Sequence, residues 1–338
     1  MSAEVAFRPY QASDEAPVLN LLRLTLGKGR AFERSAAFFR WKHLENPFGR
    51  SLMLLANGQE ILGLRTFLRW QFRAGGNVVP AVRAVDTATH PGYQRMGIFS
   101  RLTTASLEQA KAEGVGFVFN TPNQYSLPGY LKLGWTFVGK TTVFVRPLRL
   151  LRIALALAAR RPDEATDEGP SDDVTALDHL LAREAALSAL LARDDAQLAS
   201  GIRTARTVPY LRWRYRNAPS LRYSARVIGN GALAAAAIFR RTLRRGLVEL
   251  SIAELLFDDP GQGRRVVREI LTSAPADYAV AHCAWEAPHR RVLMGIGFVP
   301  VPRLGPNFTV RPLESDFLGY DPTSPGSWRL SLGDLEVF

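Results

Sequence analysis

Apolar residues along this chain alternate between two periods. Val5–Tyr10 reads as a first strand. Ala12–Leu26 then sets Val18, Leu19, Leu22 and Leu26 on one helical face, with Ser13 as an N-cap before Asp14 and Glu15. Phe38–Phe48 reads as a helix stopped near Pro47. Leu52–Ala56 and Ile61–Trp70 flank Asn57-Gly58, which predicts a hairpin with positive φ at its turn. Gly75-Gly76-Asn77 makes the next turn, before a Val/Ala/Thr-rich strand over Ala81–Thr89. Ser100–Glu113 has helical spacing and is closed by Gly114; Gly116–Asn120 and Phe137–Arg146 read as further strands.

Leu148–Arg161 (LRLLRIALALAARR) is apolar and basic, without a clean polar face. It reads either as a packed inter-domain helix or as a cationic helix on an anionic membrane surface. Pro162–Asp173 is acidic and proline-punctuated, as solvated linkers are. Beyond it the chain repeats itself. Arg40-Trp41-Lys42 is echoed by Arg212-Trp213-Arg214, Asn57-Gly58 by Asn230-Gly231 and Phe67 by Phe239. Leu133-Gly134-Trp135 is echoed by Ile296-Gly297-Phe298, and Arg146-Pro147-Leu148 by Arg311-Pro312-Leu313. Two similar units in tandem follow from this order, then a Pro/Gly/Ser-containing tail whose Leu330–Phe338 could add a strand.

Composition narrows the class. The 338 residues are 47% hydrophobic and 22% charged, suited to about two globular domains. A single cysteine, Cys283, excludes an intrachain disulfide framework and points to the cytoplasm. No signal peptide and no membrane span is expected. Lys and Arg outnumber Asp and Glu by 43 to 31, a formal +12, which favours anionic ligands. With no zinc-finger, homeodomain or RNP-like signature, nucleic acid is not expected as a partner. His179, His282 and His289 have no ligand spacing with a second His or Cys, so no metal is expected.

The chemistry gathers in residues 82–135. Thr89-His90-Pro91-Gly92-Tyr93-Gln94-Arg95-Met96-Gly97-Ile98-Phe99 joins a strand to a helix. Such a turn aims unpaired N–H groups outward and favours an anion, and Gly97 lets the chain approach it closely. Gln94-x-x-Gly97-x-Phe99 resembles the pyrophosphate loop of the GNAT acyl-CoA N-acyltransferases. Asn123-x-x-Ser126-x-x-x-Tyr130-x-x-x-Gly134-Trp135 resembles the same family's second motif. Phe99 departs from the usual Gly or Ala and is similar to the branch of the enhanced intracellular survival acetyltransferases.

The resemblance implies an α/β (α+β) fold of two tandem GNAT-like units. Each would be a central mixed, mostly antiparallel twisted sheet flanked by helices. Residues 1–148 would form the catalytic domain, 149–175 a linker helix and acidic linker, 176–313 a degenerate copy and 314–338 the tail. The second copy has Leu293, Glu286 and His289 where the first has Tyr130, Asn123 and Ser126, and Asp258-Asp259 in its matching loop.

The resemblance further implies acetyl-CoA as cosubstrate and transfer to a primary amine of a small molecule or amino sugar. It assigns Ala88, Thr89, His90, Gln94, Arg95, Met96, Gly97, Ile98, Phe99, Asn123 and Ser126 to cofactor binding, and Tyr130 to general acid toward the leaving thiolate. Asp86, on the central strand, is read evenly as a group serving the substrate amine or as the partner of an arginine such as Arg83. Trp41, His43 and Asn120 could line an acceptor cleft. The alternative is a CoA-binding scaffold held at an anionic membrane through 148–161.

Overall fold

The computed structural model describes residues 5–26, 35–159, 165–166, 174–302, 304–314 and 319–335. In chain order these form β1 (Ala6–Pro9), α1 (Glu15–Leu26), α2 (Ala36–His43), β2 (Leu52–Asn57), β3 (Ile61–Ala74), β4 (Asn77–Thr89), α3 (Ile98–Ala112), β5 (Phe117–Asn120), α4 (Leu127–Lys132), β6 (Thr136–Lys140), β7 (Val143–Pro147) and α5 (Leu150–Ala158). There follow β8 (Ala165–Thr166), α6 (Val174–Ala182), α7 (Glu184–Gln197), β9 (Ile202–Thr204), α8 (Val208–Leu211), β10 (Ser224–Ile228), β11 (Ala235–Arg244), β12 (Leu247–Phe257) and α9 (Pro260–Ser273). The last elements are β13 (Tyr278–Ala281), α10 (Pro288–Met294), β14 (Val299–Val301), β15 (Asn307–Pro312) and α11 (Leu332–Leu335).

Two sheets result, flanked by helices. The first runs β1-β2-β3-β4-β5-β15-β6, with β9 on β3; the second runs β10-β11-β12-β13-β7-β14, with β8 on β11. Among the strand pairs of the described residues, only β4–β5 and β12–β13 are parallel, as a mixed, mostly antiparallel α+β design requires.

The two units exchange a strand. Phe137–Arg146, expected as one strand, is two: β6 stays in the first sheet and β7 pairs β13 and β14 in the second. In return β15 enters the first sheet between β5 and β6. The exchange explains the echoed Arg-Pro-Leu. Arg311 lies over the Trp135 ring, its carbon 5.5 Å from the centroid, and fills the space beside Gly134. Arg146 takes the same place beside Gly297 in the other unit. The sheets therefore do not divide at residue 148, since β7 and β15 lie across the expected ranges.

The pseudo-two-fold relation is written in two tryptophans. Trp41 Nε1 donates to the Trp213 carbonyl at 2.7 Å, and Trp213 Nε1 to the Trp41 carbonyl at 2.8 Å. Their rings stack with centroids 5.2 Å apart. The largest buried cluster surrounds them and joins residues of both sheets, among them Trp70, Phe72 and Phe119 of the first and Ile238 of the second, with Tyr210 of α8.

Several local expectations change. Neither Asn57 nor Gly58 has a positive φ; Asn57 pairs Ile61 across a three-residue loop. The two-residue turn is instead Gly75-Gly76, between the paired Ala74 and Asn77, with Gly75 at φ +57°. In the tail no strand forms over the described part of Leu330–Phe338; Leu332–Leu335 is a helical turn, in which the Gly333 and Asp334 carbonyls accept from Arg214 and Arg83 and the Asp334 N–H donates to Ser331 Oγ rather than to a sheet edge. Apart from Ala165–Thr166, the expected linker 162–173 lies outside the described residues.

Candidate active site

β4 and β5 are paired only over Ala81–Arg83 and Phe117–Phe119. Beyond Arg83 the two strands part. Ala84–Thr89 keep β3 on one side and have no strand partner among the described residues on the other, so part of their backbone donors and acceptors point into that split. A bulge sits there: Leu64 pairs Ala88 and Thr66 pairs Val85, leaving Asp86 and Thr87 opposite Arg65, with Asp86 at φ +42°.

At one end of the split lies the loop before α3. Pro91–Tyr93 is a 3₁₀ turn that His90 caps by accepting the Gly92 N–H at Nδ1, 3.2 Å. Arg95 and Gly97 both have positive φ, +64° and +74°. Gly97 is the N-cap of α3, and a side chain built on it would meet nothing within 4 Å. The first intrahelical bond is Arg101 N–H to the Gly97 carbonyl, so the N–H groups of Ile98, Phe99 and Ser100 precede the helical ladder. With exposed Gln94–Gly97 around it, this is an open, positively polarised cradle that fits a pyrophosphate. Met96 is exposed and Ile98 buried in the α3 contact with the sheet. Phe99 turns away from the cradle and packs edge-on against Tyr130, centroids 6.1 Å apart.

At the other end stands α4. Asn123 Oδ1 accepts the N–H groups of Tyr125 and Ser126, each at 3.0 Å, and Ser126 is the N-cap of α4. These two residues thus build the turn that places Tyr130. The Tyr130 ring is buried, edge-on to Trp135 at 5.2 Å, and its hydroxyl accepts from Arg65 NH1 at 3.0 Å.

Asp86 faces the other side of the sheet. Its carboxylate meets Lys42 Nζ at 2.6 Å and His43 Nε2 at 3.0 Å, and His43 Nδ1 contacts Ser51 Oγ at 3.0 Å. Burial works to raise the Asp86 pKa, but Lys42 and His43 outweigh it and hold it well below the usual carboxylate range. Burial lowers the His43 pKa against the pull of Asp86, which favours the neutral imidazole. The partner is therefore Lys42, not Arg83, which bonds Thr121 and the carbonyls of Asp334 and Leu335.

Trp41 sits in the inter-unit stack, 1% exposed, and lines no open cleft. Asn120 is buried and accepts from Thr309 of the exchanged strand. An open cleft of about 420 Å³ beside Tyr10, Glu15, Arg40 and Ser51 lies at the β2 edge, with β3 and β4 between it and the split. Arg65, Lys42 and Thr87 belong to the site's surroundings and escaped the sequence reading. A lone arginine inside the apolar run Ile61–Leu64 and Thr66–Leu68 was the available signal for Arg65.

Residues 6–138 match the model of an acetyltransferase (GNAT) domain. This part of the chain is a GNAT acetyltransferase domain. Such domains use an acyl-CoA cosubstrate and acylate amines. Among solved structures, a conserved protein of unknown function from Enterococcus faecalis V583, described as a probable N-acyltransferase, is 13% identical with a TM-score of 0.61. A GCN5-related N-acetyltransferase from Anabaena variabilis ATCC 29413 is 14% identical with a TM-score of 0.63. Each match covers 92% of this chain and 73% of that structure. A GCN5-related N-acetyltransferase from Kribbella flavida is 16% identical, with a TM-score of 0.59 over 92% of this chain and 71% of that structure. At these identities the likeness is one of fold, and it extends over both sheets. No curated protein matches the sequence.

The second unit has the same split and fills it. β12 and β13 pair over Glu249–Ile252 and Tyr278–Ala281 and then separate. Ser331 donates to Glu254 Oε1 at 3.1 Å, Tyr215 does so at 2.6 Å, and Gly333 lies against both. What remains is a cavity of about 30 Å³ lined by Arg206, Cys283, His289 and Asp334. At the start of α9, Asp259 Oδ1 already accepts the Gly261 and Gln262 N–H groups at 2.8 and 3.1 Å. Leu293, the counterpart of Tyr130, is buried in the apolar core.

Proposed function

We propose that the first unit transfers an acyl group, most simply acetyl, from CoA to a primary amine of a small molecule or amino sugar by direct attack on the thioester. The observation that carries this reading is the split itself. It has an open, glycine-capped helix start at one end, Tyr130 at the other, and half-unpaired β4 backbone between. When bound, acyl-CoA supplies the activated carbonyl. Gln94–Phe99 hold its pyrophosphate, Ala88–His90 backbone orients the acyl end, and Tyr130 holds a proton for the sulfur. Asn123 and Ser126 serve by fixing the turn that aims Tyr130.

Asp86 does not act as the base in this reading. A carboxylate locked to Lys42 has little tendency to take a proton near neutrality, so it anchors the bulge instead. His43 holds Asp86 in place, and the amine arrives neutral or loses its proton to water. Release of free thiol from acetyl-CoA across a panel of primary amines tests the proposal. CoA binding at one site per chain without turnover on any amine supports the scaffold instead. A buried, unpaired Cys283 and the use of CoA suit the cytosol, where we place the protein.

A second reading concerns location. Leu150, Leu151, Leu155 and Leu157 of α5 are between 62% and 74% exposed, so α5 is not a packed inter-domain helix. Arg149 and Arg152 stand beside Asp277 at its base, and the β11–β12 turn adds Arg244 and Arg245 nearby. No helix among the described residues is long and apolar enough to cross a membrane. We read α5 as a peripheral contact with anionic lipid. Sedimentation with anionic but not zwitterionic vesicles, lost in a Leu151→Ser/Leu155→Ser variant, supports it; no sedimentation sinks it.

A further inference from the structure

Arg65 is a buried cation with no carboxylate beside it among the described residues. Its side chain is 0% exposed on β3, opposite the Asp86–Thr87 bulge. NH1 donates to Thr87 Oγ1 at 2.6 Å and to the Tyr130 hydroxyl at 3.0 Å. Nε and NH2 have no protein acceptor among the described residues. Three aromatic rings lie beside it: the guanidinium carbon is 4.8 Å from the Phe67 centroid, 5.2 Å from Tyr130 and 5.7 Å from Phe99. Cation–π contacts soften the burial of a charge but do not neutralise it. The other buried arginine on a central strand, Arg83, satisfies its guanidinium with carbonyls and a hydroxyl, so an unpaired one is not a rule of this fold.

We propose that Arg65 is a positioning residue whose charge is held for the anionic sulfur formed as the acyl group leaves, acting through Tyr130. The inference rests on reading the split as the acyl-CoA site. In the step, the amine nitrogen bonds to the acyl carbon and the C–S bond breaks with its electron pair on sulfur. Tyr130 passes its hydroxyl proton to that sulfur. Arg65, already donating to the same oxygen, stabilises the phenolate left behind, and the proton shed by the new amide nitrogen restores the phenol through solvent. Because NH1 donates to the Tyr130 oxygen, the tyrosine's own proton is left to point elsewhere. Phe99 gains a purpose too: it walls the guanidinium from water, which keeps the charge effective.

The test compares calorimetric binding of CoA and of desulfo-CoA, in which hydrogen replaces the thiol, at about pH 9, where an alkyl thiol is partly ionised and a site that favours thiolate can draw it further. Wild type is expected to prefer CoA by about tenfold, and Arg65→Met to lose that preference while binding desulfo-CoA within about twofold of wild type. Arg65→Lys, which keeps the charge without the fork, should retain part of the preference and guards against a folding artefact in Arg65→Met. In turnover, Arg65→Met should lower kcat by about 10- to 100-fold with KM for acetyl-CoA little changed, and by less than about threefold once Tyr130 is already Phe. Equal binding of both ligands by wild type, or an undiminished preference in Arg65→Met, overturns the inference and leaves the acyl-CoA site standing. Failure of wild type to bind either ligand overturns both.

Discussion

The two splits of this molecule were built alike and finished differently. In the first, α3 begins at Gly97, which offers backbone N–H groups and no side chain. In the second, α9 begins after Asp259, whose carboxylate already occupies those groups. In the first, no described strand pairs Ala84–Thr89 on the side of β5; in the second, Ser331 and Gly333 pack into the matching place. A helix start accepts one anion, and an internal carboxylate forecloses any external one. The tail that plugs the second split also reaches the first sheet, where Arg83 bonds the Asp334 and Leu335 carbonyls.

The sharpest break of the comparison is chemical. Tyr130→Phe should lower turnover by about 10²–10⁴-fold while CoA affinity hardly changes, since the ring that packs on Trp135 is kept. Leu293→Met, at the matching position, should leave the rate unchanged. Steady-state kinetics beside calorimetry checks both, and full activity in Tyr130→Phe removes the general-acid role.

The next effect concerns the axis between the units. Trp41→Ala and Trp213→Ala should each cost about 3–5 kcal/mol by denaturant unfolding, since each opens a large cavity. The two losses should be similar, and the double variant should lose less than their sum, because each residue's bond is to the other's backbone across one stack. Strictly additive losses count against the paired arrangement.

The plug makes a prediction in pH. Burial raises the Glu254 pKa to about 7 against the pull of Arg206. The folded state then binds a proton there that the unfolded chain releases near the ordinary value of 4.5. This contribution is fully favourable below about 4.5 and fades as pH rises through 7, removing up to about 3 kcal/mol. Buried His43 and His282, both lowered by burial, slope the other way below about 6.5. Subtracting the Glu254→Gln curve from wild type isolates the carboxyl, and a flat difference between pH 5 and 8 refutes its burial in that form.

The repeat shows how much could be read without coordinates. The echoed Arg40-Trp41-Lys42 and Arg212-Trp213-Arg214 are legible because a packed axis needs the same side chains from both copies. The exchange of β7 and β15 is not legible, since Arg146 and Arg311 meet equivalent neighbours whichever unit they enter. Asp86 was visible as a costly strand carboxylate, but its partner Lys42 is far away in sequence and comes beside it only through the bulge and the α2 contact.

The smallest effect sharpens the comparison at the helix starts. Gly97→Asp imports the second unit's residue and should weaken CoA binding by about 10-fold or more, through strain at positive φ and repulsion of the pyrophosphate. Asp259→Gly should cost only about 0.3 kcal/mol of stability as a lost cap and should gain no CoA site, because the split behind it is filled. Titration gives the stoichiometry, and a second site in Asp259→Gly would show that the plug yields.

By itself the sequence determined what local chemistry dictates: strand and helix periods, the glycine-opened helix start at Gly97, the Asn123-to-Trp135 turn that carries Tyr130, and the presence of two copies. Tertiary structure alone decided which strand joined which sheet, that the tail plugs one split and spares the other, that α5 stands exposed, and that Arg65 lies under Tyr130 with no carboxylate beside it among the described residues. Those outcomes depend on which distant segments meet. Strand exchange keeps every local environment intact, and an arginine in an apolar run shows its lack of a partner only when all neighbours are in place.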